Sequence, residues 1–148
     1  MNLTKNVLIG GVCAPVGAAA NTDQNSDILD MQGYDGVVFI APITDSVATG
    51  VATLTVEQDD ANADAGMAAL SGAAATATSA KNDDLNGKLL IVDVYRPTKR
   101  YVQGVLTSAT ANIAFGNMIA IRYCGRKAPV TADSTVLSSV LAVGPAEA

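Results

Sequence analysis

The chain has 148 residues, a net charge of −5 and 4% aromatic residues with no tryptophan. That length suits one domain, and the acidic balance (pI ≈ 4.4) excludes a general nucleic-acid binder, which needs a basic face to displace counterions. The mean hydropathy of +0.30 comes from small residues, not from any run near the ~20 apolar residues that a membrane span requires.

The first six residues are too polar to open a signal peptide, so synthesis in a cytoplasm is expected. Residues 5–10 read as an edge strand, and residues 11–25, rich in Ala, Gly and Asn, as a long connection. Residues 1–25 are therefore expected to form an extended arm that orders against a partner, ahead of a β domain over residues 26–148. Residues 26–31 alternate imperfectly as a strand, and residues 33–36 (GYDG) turn. Residues 37–41 form a strong strand that Pro42 should end, since proline has no N–H to give a ladder. Residues 51–58 alternate with period two, placing Ala52, Leu54 and Val56 on one face and Thr53, Thr55 and Glu57 on the other. Residues 59–66 are an acidic loop. Residues 67–70 read as a weak strand or helical turn, and residues 73–80 stand between a thin strand and a helix.

The organising stretch is residues 88–127. Residues 89–95 are an apolar, β-branched run closed by Pro97. Residues 100–106 resume after a turn of about three or four residues, the usual length for a hairpin. Residues 118–124 give a third strand. A polar loop with Pro129 follows, then a last strand over residues 136–143 and a loose tail from Gly144 to Ala148. No capped segment with a 3.6-residue apolar period occurs. Roughly eight to ten short strands predict an all-β fold, a single-domain β-sandwich or jelly roll with an extended N-terminal arm. The alternative is a β-rich domain with one short helix between residues 67 and 80. The core is expected to include Val37, Phe39, Leu90, Val92, Val102, Val105, Ile119 and Ile121.

Chemistry is sparse. With no histidine, Ser–His and Cys–His nucleophilic pairs are impossible. Cys13 and Cys124 are too far apart in sequence for a zinc knuckle, and in a reducing compartment both are expected free and mostly buried. No phosphate-cradling glycine motif follows a strand. No catalytic, cofactor or metal residues are assigned, and no enzyme activity is expected. Asp60, Asn62 and Asp64 have the alternating oxygen spacing of a calcium loop, but Ser71 stands where the bidentate Glu belongs, so a solvated acidic loop is the favoured reading. Eight of nine Lys and Arg lie at or after Lys81, whereas nine of fourteen acids lie at or before Asp64. Arg96, Lys99 and Arg100 flank the expected hairpin turn, and Arg122, Arg126 and Lys127 flank the end of the next strand. These six are the candidate partner-binding residues, suited to carboxylates that an arginine can fork onto.

The opening MNLTKNVLIGGV, the segment DMQGYDGVVFIAPI, the run LLIVDVYRPTKRYVQGVLTSATANIAFGNMIAIRYCGRKAPVT and the closing VGPAEA together resemble small virion structural proteins of tailed bacteriophages, of the head decoration (cement) type. The resemblance spans nearly the whole chain and rests on fold-defining strings, not catalytic motifs. It implies a trimeric homo-oligomer on the phage head surface that binds the major capsid protein and stabilises the capsid, with no nucleic-acid or membrane partner. The alternatives are another phage head or tail component, or a calcium-dependent carbohydrate-binding β-sandwich for host attachment; few aromatics are available to the latter as a sugar platform.

Overall fold

The structure, a computed structural model, describes residues 2–144. In chain order its elements are α1 (Leu3–Asn6), β1 (Leu8–Cys13), β2 (Val16–Ala19), β3 (Thr22–Asn25), β4 (Leu29–Asp30), β5 (Gly36–Ser46), β6 (Val51–Asp59), β7 (Ala68–Thr78), β8 (Leu89–Tyr95), β9 (Tyr101–Ala109), β10 (Ile113–Phe115) and β11 (Met118–Tyr123), with a 3-10 turn at Asp64–Gly66 before β7. They form a β-sandwich of two antiparallel sheets. The first runs β1-β11-β5-β10-β2, with β8 on the other flank of β5; the second runs β3-β9-β6-β7, with β4 beside β3 on β9. Among the described residues no helix is long and apolar enough to cross a membrane.

Alternation decides what lies between the sheets. From the first sheet, Val37, Phe39, Ala41 and Ile43 on β5 point inward, with Leu90 and Val92 of β8 and Met118 and Ala120 of β11 beside them. From the second, Ala52, Leu54 and Val56 of β6 and Val102 and Leu106 of β9 meet them. Gly104 of β9 leaves room for the opposite sheet: a Cβ there would lie 3.0 Å from both the Phe39 ring and the Met118 sulfur. Six of the eight expected core residues are buried. Ile119 and Ile121 are not: Ile119 is 39% exposed while Met118 is fully buried, so β11 presents the opposite face from the one expected. Both of its faces are apolar, and alternation alone cannot choose between them.

Several expected elements change for physical reasons. Residues 11–25 are not a connection: β1 pairs with β11, β2 with β10 and β3 with β9, so the expected arm is woven into both sheets. Its Ala, Gly and Asn have weak strand propensity of their own, and the partner strands supply the ladder. Pro42 does not end β5. A strand residue turns its N–H and C=O to the same side, and the Pro42 carbonyl accepts from Gly116 N–H at 2.8 Å. The missing N–H therefore faces the gap between β10 and β11, where no ladder bond is lost. The ambiguous stretch from 67 to 80 is strand β7 along most of its length, held to β6. The strand expected over residues 26–31 shrinks to β4, because Ser26 turns its N–H and hydroxyl to Gly104 instead.

Strands β8 and β9 do not form a hairpin: β8 belongs to the first sheet and β9 to the second. Arg96 takes a positive φ of 55°, and its N–H reaches Asp35 O at 2.6 Å. Gln58 at the end of β6 then accepts from the N–H groups of Thr98 and Lys99, at 3.1 and 3.2 Å, and donates to the Thr98 hydroxyl at 2.8 Å. The side chain of Gln58 thus pulls the link across to the second sheet.

Residues 136–143 form no strand. The open edge of β1 is met by the Thr135 hydroxyl, which accepts from Gly11 N–H at 2.9 Å, and no backbone ladder follows it. Of the expected loose tail, residues 145–148 lie outside the described residues. The cysteines are free, but Cys13 is half-buried and Cys124 exposed. Cys13 stands opposite Met118, six residues short of Cys124 along the ladder, which separates the thiols by roughly 20 Å at strand rise.

Candidate functional site

One end of the sandwich gathers residues far apart in sequence. The turn before β5, the β8–β9 link and the loop after β11 meet there around a groove of about 500 Å³, lined by Tyr34, Asp35, Arg96, Lys99, Arg100 and Arg126. A second depression of about 370 Å³ adjoins it, with Arg126, Lys127 and Tyr34 in its walls. Gly33, at φ +89°, makes the turn, and its carbonyl accepts from Arg126 N–H at 2.9 Å, pinning the loop after β11 over the groove.

The six candidate cations play different parts. Arg100 forks onto Asp30, Nε and Nη2 donating to the two carboxylate oxygens at 2.9 and 2.7 Å, and Nη2 also reaches Gln32 at 2.6 Å. That hydrogen-bonded fork is the main reason the Asp30 carboxyl is held below the usual carboxylate range. Lys99 bridges Asp59 at 3.4 Å and Asp60 at 3.5 Å, which raises its pKa, chiefly through the bond to Asp59. Two acids of the calcium-like loop therefore hold an ammonium, while Asp64 accepts from Asn25 at 2.7 Å. Arg122 is turned inward from the end of β11, donating to Asp30 O at 3.0 Å beneath the Tyr34 ring, whose centroid is 5.4 Å away.

Arg96, Arg126 and Lys127 remain. Among the described residues these three make no ion pair, and Arg96 lies 5.1 Å from the centroid of the Tyr95 ring. The structure thus brings Arg96, Lys99, Arg100 and Arg126 to one groove with Lys127 alongside, and withdraws Arg122 into support. Asp30, Gln32, Tyr34 and Asp35 were missed by the sequence reading. The signal was the polar string DMQGYDG, whose Asp30 was expected in the strand over residues 26–31 and whose Tyr34 and Asp35 were expected only in the turn over residues 33–36. Chemically, the arrangement offers uncommitted guanidinium and ammonium groups over a partly apolar floor, suited to carboxylates on a protein surface.

No protein-family model matches the chain, and no curated protein does. Among solved structures, the crystal structure of PBSX exported protein XepA is similar, with a TM-score of 0.52 and 17% identity over 97% of this chain. The match covers 46% of that protein, so this chain spans about half its length. The likeness is one of fold.

Proposed function

We propose that this chain is a phage virion structural protein of the head decoration type, which binds the major capsid protein shell and stabilises it as a homo-oligomer, a trimer by the resemblance described above. The observation that carries the proposal is the convergence of three cations, Arg96, Arg126 and Lys127, that make no ion pair among the described residues, on one end of an otherwise acidic protein. The fold shared with PBSX exported protein XepA supports the coarser reading, a phage structural protein. A sandwich with both sheets stitched by backbone ladders gives a rigid body suited to reinforcing a shell. Binding is electrostatic in orientation and modest in strength per site, because each exposed ion pair contributes about 0–1 kcal/mol. Repetition over many symmetric sites multiplies that small contact.

The test mixes purified protein with undecorated phage heads and follows co-sedimentation as salt is raised. Arg96→Glu/Arg126→Glu is the informative variant, because it leaves the Arg100–Asp30 and Lys99–Asp59 pairs in place. Binding is expected to fall about tenfold at low salt, equivalent to ~1.4 kcal/mol. The gap to wild type should narrow as screening shortens the Debye length toward ~3 Å at 1 M. A variant that binds like wild type at every salt concentration sinks the basic-end reading.

A further inference from the structure

The register of the first sheet lines up apolar side chains on its outer face. Ile91 of β8, Ile40 of β5 and Ile119 of β11 form one row, ending at Gly11 of β1. Val38, Ile121 and Ile9 form the next, and Leu89 stands beside Pro42. Leu89 and Ile91 are each more than half exposed, as is Tyr95 at the end of β8. The carboxylate in this block, Asp93, is already bonded to the Tyr123 hydroxyl at 2.6 Å. A depression of about 470 Å³ opens on the same face, with Val38 and Ile121 among its walls and Leu3 of α1 at its rim.

The C-terminal segment starts beside that face. Val136, Ser138 and Ser139 share a recess with Val7 and Ile9, while Leu137 between them is fully exposed and, beyond, Val140 and Val143 are about four-fifths exposed. Eight of the ten exposed large hydrophobics of the described residues fall in these two adjoining patches.

We infer that the outer face of the first sheet and the segment from Leu137 to Val143 are the surface through which copies of this chain associate. Area supports a second copy as the occupant. Those eight side chains leave on the order of 900 Å² open, close to the ~800 Å² that each partner contributes to a standard interface. The face alone supplies about half of that, near the largest patch a monomer ordinarily shows. The chain's own tail is long enough to cover its own face: residues 137–144 extended reach ~27 Å, against ~14 Å from β1 to β8. It instead lies beside Val7 and Ile9 at the β1 edge, with Leu137 wholly in solvent and Leu89 and Ile91 of β8 left open. An apolar contact also suits a protein whose copies each carry a net charge of −5 and repel one another. This inference names the surface for the homo-oligomer proposed above, and its test uses no phage heads, so it can fail while capsid binding stands.

Light scattering on the full chain across a range of concentrations is expected to give a multiple of 15.0 kDa. Ile91→Glu/Ile119→Glu and, separately, truncation after Val136 should each return the mass to near that of a single chain, with far-UV circular dichroism unchanged. Leu89→Lys is a second face variant should the double substitution not fold. Thr53→Glu/Thr107→Glu, on the outer face of the other sheet, should keep the wild-type mass. A wild-type chain that stays monomeric overturns the inference, whether its face is then protected by its own tail or needed for coat binding. Face variants or a truncation that keep the wild-type mass overturn it as well.

Discussion

The two outer faces of the sandwich meet solvent with opposite chemistry. On the second sheet, rows of small polar side chains bond across the strands: Thr53 to Thr76 at 3.1 Å, Thr107 to Asp23 at 2.7 Å. Its edge strand β7 presents only Ala, Thr, Ser and Gly apart from one Leu, and its pairing with β6 shifts register between Thr55 and Glu57, where β7 carries the extra residues, devices that blunt an edge against further pairing. On the first sheet the equivalent positions are Ile91, Ile40, Ile119, Val38 and Ile121. An antiparallel sheet over one core needs only its inward row to be apolar. The second sheet stays near that minimum, with Val51 and Val105 the apolar exceptions on its outward rows; the first exceeds it, and the proposed interface would cover the excess.

The largest test of this contrast compares the two faces of the first sheet. Phe39→Ala, fully buried, should lower stability by about 3–5 kcal/mol through lost transfer energy and the cavity left behind. Ile119→Ala should cost about 1 kcal/mol or less in the single chain, since much of its area is already in water. Equal shifts in urea midpoint would reverse the inside–outside assignment of β11. Next comes Gly36→Ala. A methyl there runs into the Tyr123 ring, which lies across Gly36 to reach Asp93. The collision and the displaced hydrogen bond should cost about 1–3 kcal/mol, and Tyr123→Phe, which loses the bond alone, about 0.5–1.5 kcal/mol.

Effects on the polar face should be smaller. Thr53→Ala breaks one cross-strand pair and should cost about 0.2–1 kcal/mol by chemical denaturation. Glu57, also on this face, has its pKa raised by burial first and by Asp64 and Asp23 second. A carboxyl that binds its proton more tightly when folded favours the folded state below its unfolded pKa, ~4.3, and loses that advantage as pH rises through its folded value. Glu57→Gln should therefore raise the melting temperature slightly at pH 7 and not at pH 3. Asp30 has the opposite sign. Its lowered pKa stabilises the fold above the unfolded value, ~3.9, and that contribution disappears as pH falls through the folded value. Asp30→Asn should flatten that part of the acid limb.

How much of this was legible in the sequence follows from what each signal physically encodes. The period-two alternation of residues 51–58 gave the buried face of β6 correctly, because its outward row is polar and the two faces differ. The same rule failed at Ile119 and Ile121, where both faces are apolar and burial is decided by which side meets Phe39. The strand of residues 89–95 was legible and its partner was not. Short spacing to the next strand suggested a hairpin, while the crossing depends on Gln58, distant in sequence. Of the candidate site, the clustering of Arg96, Lys99, Arg100, Arg126 and Lys127 was legible as charge at strand ends. Which cations are already committed was not, since Asp30, Asp59 and Asp60 come from segments that only the tertiary fold brings near.

The most direct test of the contrast between the faces is the concentration dependence of thermal unfolding. A folded state that associates is stabilised by mass action, so its melting temperature rises with protein concentration. Such a rise is expected for the wild-type chain and for Thr53→Glu/Thr107→Glu, and a flat response for Ile91→Glu/Ile119→Glu. A wild-type melting temperature that does not move with concentration, or a face variant that still climbs with it, would contradict the claim that the apolar face is an interface.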